Sequence, residues 1–207
     1  MAESARLGRP PATNSAETRA RILDAARRKF AARGFESASN RALADEAGLT
    51  TGAIYHYFDS KLDIYVAVLQ DAREQAITRF EKAIVGLDTF AEQLSATLEA
   101  AYEINTEDPT LAQFLGSSRV DAERDPVLAD AIRSVPMASS SGFFRQMVDL
   151  GVANGEIDPN DAPLVDALIR TITVGLTDAV SGNPVKHRQA IDGINKLLTS
   201  SLIKPAS

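Results

Sequence analysis

The 207-residue chain contains no cysteine and only two histidines, His56 and His187. Without cysteine there is no disulfide framework and no thiolate metal site, which fits a reducing cytoplasm. No H-E-x-x-H, G-x-S-x-G or glycine-rich phosphate loop is present, so the enzyme classes those motifs mark have no representative here. No apolar run approaches the ~18 residues of a membrane span, and no charged-then-apolar leader opens the chain. The expectation is a soluble cytoplasmic protein with no membrane partner. There is no internal repeat, no strand alternation and no long Gly/Ser or charge-rich linker, so one or two helical units should pack together. Acidic clusters exist, but DAERDP (121–126) has the spacing of no metal-ligand loop and reads as a solvated connector. No metal, cofactor or catalytic residue is expected.

What is present is ample length and 44% hydrophobic residues, enough for a real core. The net charge of −6 argues at first against nucleic acid. Its distribution reverses that impression: residues 1–61 hold ten Lys and Arg against seven Asp and Glu, and the remainder twelve against twenty-one. A mildly basic head on an acidic body suits a local DNA footprint.

The chain is organised around Ser39 to Phe58, SNRALADEAGLTTGAIYHYF. It reads as helix, tight turn, helix. Leu43, Ala44, Ala47, Leu49, Ile54 and Tyr57 fall where two crossing helices touch, and Ala44 is the tight point. Gly48 sits where the turn needs positive φ, Leu49 plugs the junction, and Thr50 is placed to cap the next helix, expected over Thr51 to Tyr57. Such a unit lays its second helix in the DNA major groove. An ordinary helical hairpin has a similar signature, so the flanks matter.

Residues 1–13 are polar and proline-bearing and read as a disordered basic arm, in which Arg6 and Arg9 either reach DNA or are simply solvated. A first helix is expected from about Ser15 to Arg33, started by Asn14 with Glu17 and stopped by Gly34-Phe35. Ile22, Leu23, Ala26 and Phe30 form its apolar face, opposite Arg21, Asp24 and Arg28. Ser39 caps the second helix. Ser60 and Asp63 start the fourth, and Lys61 lies in its first turn, where the helix dipole disfavours a cation and a phosphate would compensate.

On these residues the chain resembles the TetR-type (TetR/AcrR) transcriptional regulators. The run TRARILDAARRKFAARGF, then ALADEAGLTTGAIYHYFDSKLDIYVAVL, matches their N-terminal domain over residues 16–76. AIYHYF followed by D-S-K-L is the specific part. Asn40 departs from the pattern, which usually has an apolar residue there. The implied fold is all-α: a three-helix DNA-binding domain with a helix-turn-helix (14–60), joined by a long fourth helix to a helical effector-binding and dimerisation domain (61–207). The implied function is sequence-specific transcriptional regulation, with repression of a palindromic operator relieved by a small-molecule effector. Ser39, Arg41, Tyr57 and Lys61 are the phosphate-side candidates and Thr50, Thr51, Gly52, Tyr55 and His56 the groove-side candidates; Asn40 and Ala53 are further DNA-binding candidates assigned to neither side.

In the body, the fourth helix carries Leu62, Tyr65, Leu69, Ala76 and Phe80 on one side. Asp88 caps a fifth helix to about Glu107, and Pro109 opens a sixth with Leu111, Phe114, Leu115 and Val120. Pro126 opens a short helix with Val127, Leu128 and Ile132, and Ser134 to Gly142 reads as a loop. Phe143, Phe144, Met147, Val148 and Leu150 mark another helix, stopped by Asn154-Gly155. Asp161 caps a helix with Leu164, Val165, Leu168, Ile169, Ile172, Val174, Leu176 and Ala179, apolar on more than one face. The last helix carries Ile191, Ile194, Leu197, Leu198, Leu202 and Ile203, with His187 read as surface. These two helices (about 161–181 and 187–203) are the expected homodimer interface, as the resemblance also implies. Phe114, Arg119, Phe143, Phe144 and Met147 are candidates for an effector pocket, each equally at home in the core. An enzyme site assembled from distant residues, or a helical module that binds another protein, are the competing classes.

Overall fold

The computed structural model describes residues 12–135, 138–179 and 183–197, without the side chains of 12–14, 138–141, 174 and 177–179. Arg6 and Arg9 of the arm, Leu198, Leu202 and Ile203 of the last helix, and the side chains of Val174 and Ala179 lie outside the described residues. Among the described residues ten α-helices follow one another: α1 Ala12–Ser37, α2 Asn40–Ala47, α3 Thr51–Ile54, α4 Lys61–Ala83, α5 Phe90–Glu107, α6 Pro109–Arg124, α7 Pro126–Ser134, α8 Ala138–Ala153, α9 Ala162–Ala179 and α10 Pro184–Leu197.

Local chemistry sets most of these boundaries. Ser39, Thr50, Ser60 and Thr89 each accept a backbone N–H with the side-chain oxygen at a helix start, and Asp108 and Asp125 do so ahead of a proline at the first helical position. The fifth helix is therefore capped by Thr89, one residue after Asp88, and Thr89 also donates its hydroxyl to Glu92 at 2.7 Å. The first helix is described from Ala12, upstream of Asn14. It is interrupted at Gly34, whose φ of 73° breaks the helical run where the sequence placed its stop.

Two expected loops are helical instead. Asp121 to Arg124 form the last turn of α6, because Asp125 serves both as the end of α6 and as the cap of α7, leaving no connector between them. Residues 138–142 open α8 rather than extending a loop. The third helix is shorter than expected: it ends at Ile54 and the chain continues through Tyr55–Tyr57 as a turn.

An aromatic cluster fixes the head to the body. Phe30 of α1, Tyr65 of α4 and Phe114 of α6 are fully buried, with Tyr65 edge-on to Phe30 at 4.8 Å and to Phe114 at 5.2 Å between centroids. Such pairs contribute about 0.5–1.5 kcal/mol beyond their buried area. Two polar links run alongside. Arg27, buried on α1, donates to Asp108 at 2.5 Å, to Thr110 at 3.1 Å and to Asp24 at 2.8 Å. Burial works against the Asp108 charge, yet the hydrogen bonds from Thr110 and the Arg27 guanidinium outweigh it and hold the carboxyl below its ordinary pKa. Asp121, near the end of α6, accepts from the Phe35 N–H at 3.0 Å and from the Tyr65 hydroxyl at 2.9 Å. Further from the head, Phe80 packs on Phe143 and Phe144, joining α4 to α8. Glu156, after α8, is buried and accepts from the N–H groups of Phe90 and Ala91 at the start of α5.

Candidate nucleic-acid interface and effector cavity

The helix-turn-helix is built as its sequence demands. Leu43, Ala44, Ala47 and Ile54 are buried, with Leu49 and Tyr57 packed against them. Gly48 adopts φ 64°, ψ 36°, and its N–H turns back to the Ala44 and Asp45 carbonyls. A Cβ at Gly48 would meet no heavy atom within 4 Å, so backbone conformation rather than space demands glycine there. Arg28 and Lys29 of α1 bind Glu46 of α2, at 3.2 and 2.7 Å, clamping the second helix onto the first.

The candidate contacts differ in exposure. Ser39, Arg41, Thr50, Gly52, Tyr55 and His56 are exposed; Asn40, Thr51, Ala53, Tyr57 and Lys61 are half-buried. Arg41 is open to solvent beside Asp45 at 3.9 Å. Gly52 has no neighbour within 4 Å of a would-be Cβ, leaving the backbone approachable. The Ser39 and Thr50 hydroxyls are committed to capping. Asn40, the departure from the family pattern, donates its amide to the Tyr55 hydroxyl and so ties the start of α2 to the turn after α3.

Lys61 differs from its sequence reading. Its ammonium donates to the carbonyls of Phe35 and Glu36 at 2.8 and 3.2 Å and lies 4.4 Å from the Phe35 ring centroid. The carbonyl end of α1 supplies the compensation that a phosphate was expected to give.

A cavity of about 170 Å³ lies in the body, lined by α4, α5, α6, α8, α9 and α10. Of the sequence candidates only Phe144 lines it. Phe114 sits in the head-side aromatic cluster, Phe143 packs between Phe80 and Phe144, and Met147 is fully buried. Ala76, Ala101 and Ala112 bring small side chains to the wall, and Phe80, Leu94, Leu98 and Leu176 supply its bulk. Its polar members, Arg73, Asn105 and His187, were absent from the sequence candidates. His187 is buried rather than on the surface: its Nδ1 lies 3.2 Å from the Asn105 amide and its ring packs edge-on against Tyr102. Desolvation, helped by the nearby Arg188 charge, lowers its pKa, so it is neutral. Desolvation also lowers the pKa of Arg73.

Among the described residues no helix is long and apolar enough to cross a membrane, and no group of three or more His, Cys, Asp or Glu is placed to hold a metal ion.

Residues 22–68 match the family model described as bacterial regulatory proteins, tetR family. The transcriptional activator FasR of Mycolicibacterium smegmatis is 32% identical over 171 residues, covering 83% of this chain and 72% of FasR. The chain belongs to the TetR family of transcriptional regulators. It is a helix-turn-helix DNA-binding regulator and not an enzyme. The regulator UidR of Escherichia coli K12 is 26% identical over 188 residues, 90% of this chain and 93% of its own. The fold is shared with FadR of Bacillus subtilis, solved in complex with stearoyl-CoA, at a TM-score of 0.75 over 88% of this chain and 98% of FadR, with 22% identity.

Proposed function

We propose that this regulator is a cytoplasmic repressor that binds a palindromic operator as a homodimer and is released by a small molecule entering the cavity. The observation that carries the reading is α4. Its first half packs Ile64, Tyr65 and Val68 into the core beside the helix-turn-helix, and its second half places Arg73, Ala76, Ile77 and Phe80 on the cavity wall. A ligand that displaces that wall acts directly on the element from which the reading head hangs. The FadR–stearoyl-CoA complex supports a ligand-binding body on this fold.

DNA is contacted, in this reading, by Ser39, Arg41, Tyr57 and Lys61 on the phosphate side, Lys61 exchanging a carbonyl partner for phosphate. Thr50, Thr51, Gly52, Tyr55 and His56 enter the major groove, and Asn40 and Ala53 complete the DNA-binding set. Division into an arm (1–13), a reading domain (14–60) and an effector domain (61–207) follows the same logic. The homodimer forms through 161–181 and 187–203. Leu164, Val185 and Leu197 are each about two-thirds exposed on α9 and α10 (68%, 67% and 66%), an apolar surface that a second copy would cover. Half-site centres then lie roughly 34–36 Å apart or at multiples of that.

The test is fluorescence anisotropy on DNA flanking the gene, across a salt series and against scrambled competitor. Salt-sensitive binding that resists the competitor is expected, and no binding even at low salt would overturn the reading. FasR, an activator, favours the opposite sign of regulation. A promoter–reporter fusion with the gene deleted distinguishes them, since deletion raises a repressed promoter and silences an activated one.

A further inference from the structure

Five buried side-chain atoms lack a hydrogen-bond partner among the described residues, and three of them belong to residues lining the cavity described above: Arg73 Nη1, Asn105 Oδ1 and His187 Nε2. Three other buried or half-buried arginines are matched by acids. Arg27 binds Asp24 and Asp108, Arg170 binds Asp166, and Arg188 binds Glu99. Arg73 has no such acid among the described residues, and no described aspartate or glutamate lines the cavity. Asp71 and Glu74 lie beside it in sequence, yet they line a separate polar cleft on the other side of α4 together with Arg79 and Lys82. Arg73 is half-buried and only its Nη1 is closed off without a partner; a guanidinium nitrogen held so against an apolar wall is costly unless a ligand acceptor completes it.

The remaining polar atoms refine the picture. The Asn105 amide nitrogen lies 3.2 Å from His187 Nδ1; with that amide as the donor, the ring proton of the neutral imidazole is on Nε2 and faces the cavity as a donor. Asn105 Oδ1 is a spare acceptor for a hydroxyl or a water. All other lining groups except the hydroxyls of Thr97 and Thr173 are apolar, and Thr97 and Thr173 donate to their own helix at the Gln93 and Ile169 carbonyls.

We propose that the cavity binds an apolar monocarboxylate, its carboxylate held by Arg73 and its body packed among Phe80, Leu94, Leu98, Phe144 and Leu176. This rests on the cavity being the effector site and names the class of molecule it takes. A cation is repelled by Arg73, and a neutral apolar molecule leaves the guanidinium unanswered. A carboxylate meets it with charge-assisted and, in the best geometry, bidentate hydrogen bonds.

The test titrates the full-length protein, without DNA, with decanoate, decan-1-ol and decylammonium by calorimetry. Decanoate is expected to bind about ten- to a hundredfold more tightly than decan-1-ol, the span of one charged hydrogen bond, and decylammonium most weakly. Arg73→Met keeps the stem and removes the charge. It should abolish the advantage of decanoate while leaving decan-1-ol within a few-fold, and Arg73→Lys should restore part of it. The Arg73→Met protein should melt no lower than wild type, because the guanidinium has no partner to lose. Equal binding of acid and alcohol, an unchanged decanoate affinity in Arg73→Met, or no binding of decanoate would each overturn the proposal. Since DNA is absent, failure here leaves operator binding standing, whereas failure of the regulator reading appears only in the anisotropy assay.

Discussion

Replacing Tyr65 by phenylalanine removes one hydroxyl from a residue with no solvent exposure. That hydroxyl donates to Asp121 at 2.9 Å, and burial, with the Asp121 charge, pushes its pKa far up, so it remains a donor over the whole working range of pH. A hydrogen bond to a charged group contributes about 1.5–3 kcal/mol. Asp121 is half-exposed and keeps a second donor, the Phe35 N–H at 3.0 Å, so the lower end applies, about 1.5 kcal/mol. For a chain of this size that lowers Tm by about 3–6 °C. Asp121→Ala should cost more than Tyr65→Phe, because it orphans both the phenol and the Phe35 N–H, each unsatisfied group costing about 1–3 kcal/mol. Urea unfolding of both single variants and the double variant, at one fixed protein concentration, gives the coupling. A loss below about 0.5 kcal/mol for Tyr65→Phe, or a smaller loss for Asp121→Ala than for Tyr65→Phe, would refute the bond as a tie between head and body.

Three further outcomes are open to measurement. Arg41→Ala should weaken DNA binding evenly across sequences and reduce the salt slope by about one, while Tyr55→Ala should change sequence preference; both are read by anisotropy, and uniform weakening by Tyr55→Ala counts against its groove role. His187 has a lowered pKa in the folded state, so the unfolded chain binds its proton first as pH falls below about 6.5. Stability should therefore decline with acid below that value, and urea midpoints of a His187→Asn protein should show a shallower decline through the same window. Gly151→Ala would place a methyl 2.7 Å from Ile157 Cδ1 and 2.9 Å from Phe90 Cβ, an overpacking worth about 1–3 kcal/mol in thermal or urea unfolding.

Features written within a few residues were legible beforehand. Ser39, Thr50 and Ser60 cap because an oxygen one position before a helix reaches the N–H two or three residues on, and Gly48 turns because its backbone tolerates left-handed φ. Ligand-pocket residues were less accessible, and the choice of Phe114, Phe143, Phe144 and Met147 shows why. Large apolar side chains fill space, whereas a void opens where small ones face each other, here Ala76, Ala101 and Ala112. A better signal was present in the periodicity. Leu69, Arg73, Ala76 and Phe80 share one stripe of α4, and Leu94, Leu98, Ala101 and Asn105 one stripe of α5. A charge or amide inside such a stripe either has a partner across the core or awaits one. His187 belongs to the stripe of Ile191 and Ile194 and was misplaced by position at a helix start rather than by pattern. Asp121 was hidden differently, because its partners are 56 and 86 residues away.

Head and body meet through α6 as well as α4, which under the proposed effector release sets how a ligand signal would travel. Ala112 and Leu115 of α6 line the cavity, and Asp121 of the same helix grips Phe35 and Tyr65 beside the helix-turn-helix. From Leu115 to Asp121 is six residues, about 9 Å of helix. A shift of α6 against a filled cavity must therefore strain the Asp121 grip or carry the end of α1 with it. Gly34 has no slack: a Cβ there would lie 2.9 Å from Asp121 Oδ1. An effector needs a coupling of about 1–3 kcal/mol to change operator affinity by 5–150-fold. That is the size of the hydrogen bonds Asp121 makes, so under the proposed release by an effector, loosening this one carboxylate would be a sufficient lever, and Tyr65→Phe should lower the effector concentration needed to release DNA as well as the melting temperature.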